Sequence, residues 1–173
     1  MVSDPCYSPG TWCQGIVKNM LPGFYHCGGE IVETNGWGKR VSKIRILHES
    51  YSDIPSYLEE EDFEVGVDSG QAGIYDAEYY YDQFKNDEQR EDWYNRVCDA
   101  TWDDNSGFAW DMIDGKCIVS ASGYGDGSYV CRTAKNQDGQ IVYVEIDYGV
   151  EEDEDDEDWD DYDFDEEDMD EDD

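Results

Sequence analysis

Asp4, Asp68, Asp76 and Asp126 each stand close to a proline or glycine turn. Carboxylates of this kind, brought together in one cleft, can move protons or hold a divalent cation. Short Asp side chains also serve turns and helix caps. Asp76 opens a helical segment and reads as an N-cap, which leaves Asp4, Asp68 and Asp126 as the candidate polar pocket. Asp103-Asp104-Asn105-Ser106-Gly107 with Asp111 has the composition of a calcium loop but lacks the alternating ligands, central glycine and closing Glu of an EF-hand. Gly123-Tyr124-Gly125-Asp126-Gly127 lacks the Lys-Ser/Thr pair of a phosphate loop, and a strand follows it. It reads as a hairpin loop whose positive-φ positions require glycine. The six cysteines contain no Cys-x-x-Cys pair, and His26 and His48 fall at no ligand spacing. They are expected as free, mostly buried thiols, and neither a catalytic residue, a metal nor a cofactor is expected.

The most unusual chemistry is electrostatic. The chain has 173 residues and a net charge of −35. Residues 151–173 hold 19 of the acidic side chains, and the preceding 150 carry 27 acids against 11 bases. In that tail Trp159, Tyr162 and Phe164 alternate with Asp160, Asp161, Asp163 and Asp165. A segment so charged is expected to be disordered. Carboxylates interleaved with aromatics also present what a nucleic-acid-binding groove accepts, since cations there track phosphates and ring faces meet bases. The seven tail residues just named are therefore the candidate partner-binding residues. Trp12, Trp37 and Trp110, read as lying in loops, are candidate contacts on the body. The same charge argues against unaided binding to nucleic acid or anionic lipid. No apolar run is long enough for a membrane span, and the first residues have no signal-peptide pattern, so a cytoplasmic location is expected.

These residues need elements to position them. Phe24–Cys27 reads as a strand broken at Gly28-Gly29, with Ile31-Val32 beyond it. Asn35-Gly36 is a tight-turn signal before Val41–Leu47, where Ile44 and Ile46 share one face and Lys43 and Arg45 the other. Ser50–Asp62 reads as a polar connection, then Val65–Val67, a glycine turn and Ala72–Tyr75 as strand, turn and strand. Asp76 caps a helix through about Phe84, and Asn86 starts a second, with Trp93, Tyr94, Val97, Cys98, Thr101 and Trp102 at helical spacing. Lys116–Ser122, Ser128–Lys135 and Gln140–Tyr148 read as a three-stranded meander. The expected class is α+β, a curled antiparallel sheet with one or two inserted helices over residues 1–150, followed by an acidic tail over 151–173.

Three stretches, Ser3-Asp4-Pro5-Cys6-Tyr7, Val67-Asp68-Ser69-Gly70-Gln71-Ala72-Gly73 and Ser122-Gly123-Tyr124-Gly125-Asp126-Gly127-Ser128-Tyr129, resemble a loose group of small uncharacterised bacterial and phage proteins. The resemblance implies a bacterial or viral, cytoplasmic setting and assigns no chemistry.

Two functions are then expected to compete. The first is a non-enzymatic acidic protein that mimics nucleic acid and occupies a basic site on a nucleic-acid-processing or defence protein, with no membrane and no direct nucleic-acid partner. The second is a small enzyme or ligand-binding domain with its site at the Asp4, Asp68 and Asp126 loops, the tail being a solvating appendage.

Overall fold

A computed structural model of the chain describes residues 1–151. The expected partner-binding residues of the tail, Trp159 to Asp165, lie outside the described residues, and so does the expectation of disorder there.

The described residues form an α+β fold of two antiparallel sheets and two helices. Eleven strands run along the chain: β1 (Val2–Ser3), β2 (Tyr25–Thr34), β3 (Gly38–His48), β4 (Glu59–Val67), β5 (Gln71–Tyr75), β6 (Trp102–Asp103), β7 (Gly107–Phe108), β8 (Trp110–Ile113), β9 (Cys117–Ala121), β10 (Gly127–Lys135) and β11 (Ile141–Asp147). Helices α1 (Ala77–Asp82) and α2 (Asp87–Thr101) lie between β5 and β6. One sheet has the order β2-β3-β11-β10-β4 and the other β1-β5-β9-β8, while β6 and β7 pair as a small ribbon.

The four-stranded sheet is covered on both faces. Alternation along β5 and β9 sends Ala72, Ile74 and Ile118 into a core shared with Val41, Ile44, Val65 and Val144 of the five-stranded sheet. It sends Tyr75, Cys117 and Val119 into a second core with Tyr80, Trp93 and Val97 of the helices. The order is therefore sheet, sheet, helices, and it explains why every residue of β9 is buried.

The helices start where their caps stand. The Asp76 carboxylate accepts from Tyr79 N, and the Asn86 side chain from Gln89 N. Trp93, Val97 and Thr101 form the buried stripe of α2, whereas Tyr94 and Trp102 are exposed. Aromatic burial carries much of this core: Tyr75 and Tyr80 pack at 4.6 Å, and Tyr75 meets Trp93 edge-on at 5.9 Å. The Trp93 indole N–H donates to Pro5 O at 2.9 Å, tying the N-terminal strap to the helices.

Five local expectations are corrected. Gly28-Gly29 does not break β2; Gly29 leaves room for Trp110, whose ring stands 2.4 Å from where a Cβ would be. Trp110 is accordingly a half-buried strand residue of β8 rather than a loop contact. Glu59 to Asp62 belong to β4, because β10 offers cross-strand partners for an acidic edge, among them Lys135 to Glu59 and Arg132 to Glu60. The expected meander is not one: β10 and β11 pair, but β9 belongs to the other sheet. The Gly123 loop is thus a crossover between sheets, and not a hairpin.

Candidate functional site

Two of the passages that carry the chain between the sheets run side by side. The first is the β4–β5 corner, Asp68-Ser69-Gly70; the second is the β9–β10 crossover, Ser122 to Asp126. Ser122 N donates to Gly70 O at 3.0 Å. At the other end of these loops the last pair of the β4–β10 ladder is Val67 with Gly127, so Asp68 and Asp126 flank the same rung. Both are exposed.

Asp4 sits beneath the corner with no exposed surface. Its carboxylate accepts from Asp68 N and Ser69 N, both at 2.9 Å, from Ser69 Oγ at 2.9 Å and from Cys6 N at 2.8 Å. A carboxylate occupied in this way fixes a loop. Of the expected polar pocket, Asp68 and Asp126 stand exposed beside the same rung, and Asp4 is buried and holds the backbone of the Asp68 corner.

The crossover holds itself. Gly123 and Gly125 adopt φ of +56° and +116°, a region that L side chains rarely enter. The Tyr129 hydroxyl donates to the carbonyls of Ser122 and Gly125, and Ser122 Oγ donates to Gly125 O at 2.8 Å. A Cβ on Gly123 would stand 2.7 Å from Val150 Cγ2 and 2.9 Å from Tyr148 Cβ. Val150 is therefore pressed against this loop.

Between the passages, the β2–β3 hairpin turn and the end of α2 lies a cleft of about 410 Å³. Ser69 to Gln71 and Ala121 to Gly125 form one side of it, with Cys98, Thr101 and the β6–β7 ribbon opposite. Gln71 Nε2 donates to Thr101 Oγ1 at 2.8 Å and so joins the corner to α2. The walls are aromatic. Trp37 and Tyr124 meet edge-on at 5.9 Å, and Trp102 and Phe108 at 5.5 Å. The Arg40 guanidinium lies over the Phe108 ring at 4.5 Å. Trp37 and Trp102 are more than half exposed.

A second recess of about 370 Å³ adjoins the cleft, sharing Cys98 and Trp102 with it, and is otherwise lined by Asp99, Asp103, Asp104 and Asn105. Ser106 N and Asn105 N donate to Asp103 Oδ1 at 2.8 and 2.9 Å. These bonds, Ser106 first, hold the Asp103 carboxyl below its ordinary range. The segment with calcium-loop composition is thus a turn capped by its own first aspartate. Among the described residues no three His, Cys, Asp or Glu are arranged to hold a metal ion, and all six cysteines are free thiols. Burial, then the Asp4 charge, pushes the Cys6 thiol up; burial pushes Cys117 and Cys131 to about 12.

Trp37 was legible as an exposed turn aromatic. Trp102, Phe108 and Arg40 were not read as site residues. Trp102 fitted the apolar stripe of α2, and only the β-ribbon that ends the helix turns it outward.

The fold and cleft define an α+β module in which two of the inter-sheet loops frame an aromatic trench. Residues 38–146 match a family described as a protein of unknown function (DUF4241), and the chain belongs to that family. The matched span contains both passages and all of the cleft lining except Trp37. Neither the curated proteins nor the solved structures contain a match to this chain. Among the described residues no helix is long and apolar enough to cross a membrane.

Proposed function

We propose that the protein is a non-enzymatic binding module that occupies a basic site on a protein that handles nucleic acid, acting as a nucleic-acid mimic. The observation that carries this reading is the contact of Val150 with Gly123. It sets Val150, from which the acidic-aromatic segment follows in sequence, beside the aromatic cleft, and on this reading long-range attraction and a specific contact surface serve the same partner. The −16 net charge of residues 1–150 adds to the attraction. Charge of this kind raises association rate and selects basic partners, while buried aromatic contacts set the lifetime of the complex. A second reading, a small-ligand site, draws on the convergence of the two glycine-containing passages on the same cleft.

The test is capture from nuclease-treated bacterial lysate on full-length protein, followed by a salt gradient and then by competition with duplex DNA. The expected result is one dominant basic protein, released by salt and displaced by DNA. A diffuse set of basic proteins, or a partner that duplex DNA does not displace, overturns the mimicry reading.

A further inference from the structure

Resting on that reading, we propose that the cleft and its adjoining recess form a slot for an arginine side chain of the basic partner, stacked on Trp102 and paired with Asp103 and Asp104.

Trp102 is the one aromatic residue that lines both recesses. On one side of it lies the apolar trench with Phe108 and Tyr124; on the other lie Asp99, Asp103 and Asp104, with no cation among the residues lining that recess. Asp103 Oδ1 is committed to its own turn, which fixes the group and keeps it anionic at neutral pH. The slot thus presents a ring face beside one carboxylate fixed by its turn, Asp103, and a second, Asp104, next to it. A guanidinium matches both at once, since its plane stacks on an aromatic face while its N–H groups fork to a carboxylate. An ammonium is a compact charge and gains only part of that. The ribbon already holds one such pair within the chain, Arg40 over Phe108, the ring that packs against Trp102. The partner's arginine would extend this stack on the side where the carboxylates lie.

The indole N–H signals of full-length protein in two-dimensional NMR provide the test, with Trp102 assigned by Trp102→Phe and L-argininamide and L-lysinamide as probes. The expected result is a saturable shift of the Trp102 signal with argininamide, at least fivefold weaker affinity for lysinamide, and a similar loss for argininamide in the Asp103→Asn/Asp104→Asn double variant. A Trp102 shift no larger than that of the exposed Trp12, or equal for the two amides, overturns the slot. If the double variant fails to fold, Asp104→Asn alone serves, because Asp104 caps no turn. A nona-arginine peptide run in parallel separates the two claims. Salt-dependent binding of that peptide with an unmoved Trp102 overturns the slot alone. Absence of peptide binding at low salt overturns the basic-partner reading together with it.

Discussion

The β4–β5 corner and the β9–β10 crossover perform one task by opposite means. Both carry the chain from one sheet to the other, and they touch through Ser122 N and Gly70 O. The corner is held by a carboxylate reaching 64 residues along the chain, from Asp4 to Asp68 N. The crossover is held by its own glycines and by a tyrosine hydroxyl four to seven residues away. A remote tie concentrates its stabilisation in one side chain, whereas a local one spreads it over several small contacts. The framing of the cleft depends on both.

The contrast is broken most severely at Asp4. Asp4→Ala leaves three part-buried N–H groups without their acceptor and opens a cavity at a fully buried position, so we expect a loss of about 3 kcal/mol. At roughly 2–4 °C per kcal/mol for a chain of this size, the melting temperature should fall by about 10 °C. Calorimetry on full-length protein checks this, and Asp4→Asn, which keeps the shape but weakens the bonds, should fall between variant and parent. A loss below 1 kcal/mol for the alanine variant would mean that the corner is held by the sheets alone.

Gly123→Ala comes next. The residue must keep φ near +56°, and its Cβ meets Val150 and Tyr148 inside 3.0 Å. Strain and overpacking together should cost about 2–3 kcal/mol. Hydrogen exchange should show the loss to be local, with amides of 122–127 exchanging faster while those of β4 and β5 keep their protection. Faster exchange in both passages would show that the two are one cooperative unit.

What the sequence disclosed follows the same division between local and remote. The β2–β3 hairpin was legible from Asn35-Gly36, and both helix starts from Asp76 and Asn86, because their signals lie within a few residues of the effect. The positive φ of Gly123 and Gly125 was legible for the same reason. The role of Asp4 was not, since its partners are backbone groups distant in sequence and a backbone N–H leaves no mark on residue type. Assigning β9 and β10 to different sheets also failed. A period-2 pattern says which face is buried, but a strand covered on both faces, as β9 is, has no polar face to reveal its neighbours. The cleft escaped notice because Trp102 and Phe108 are brought together by a ribbon two residues long on each side, too short to show any periodicity.

Tyr129→Phe sharpens the comparison by removing one hydroxyl and leaving the ring against Tyr148, which it meets edge-on at 5.0 Å. Two carbonyls lose a shared donor at a half-buried site, and the expected cost is about 1 kcal/mol. Denaturant titration should show a lower midpoint at unchanged slope, as expected when the folded shape survives. A changed slope would mean that the crossover had come loose altogether.

The smallest effect is expected at the root of the tail, and it separates by pH. Asp147 Oδ1 accepts from Gly149 N at 2.9 Å, and its other oxygen pairs with Arg132. Burial works against the charged form, yet the Gly149 N–H and the Arg132 guanidinium prevail and hold the carboxyl below its ordinary 3.8. A carboxyl lowered by folding contributes stability that is present above the unfolded value and fades as pH falls through the folded one. Asp147→Asn should therefore cost on the order of 1 kcal/mol at neutral pH, and the difference from the parent should shrink as pH falls below about 3.8 and vanish in stronger acid. Because Gly149 leads directly into Val150, the same substitution should also quicken exchange in the Gly123 loop. A difference that persists unchanged at the lowest pH where the parent stays folded would assign the loss to packing rather than charge. The turn at 147–150 would then hold the crossover in place by shape alone, as Asp4 holds the corner by charge.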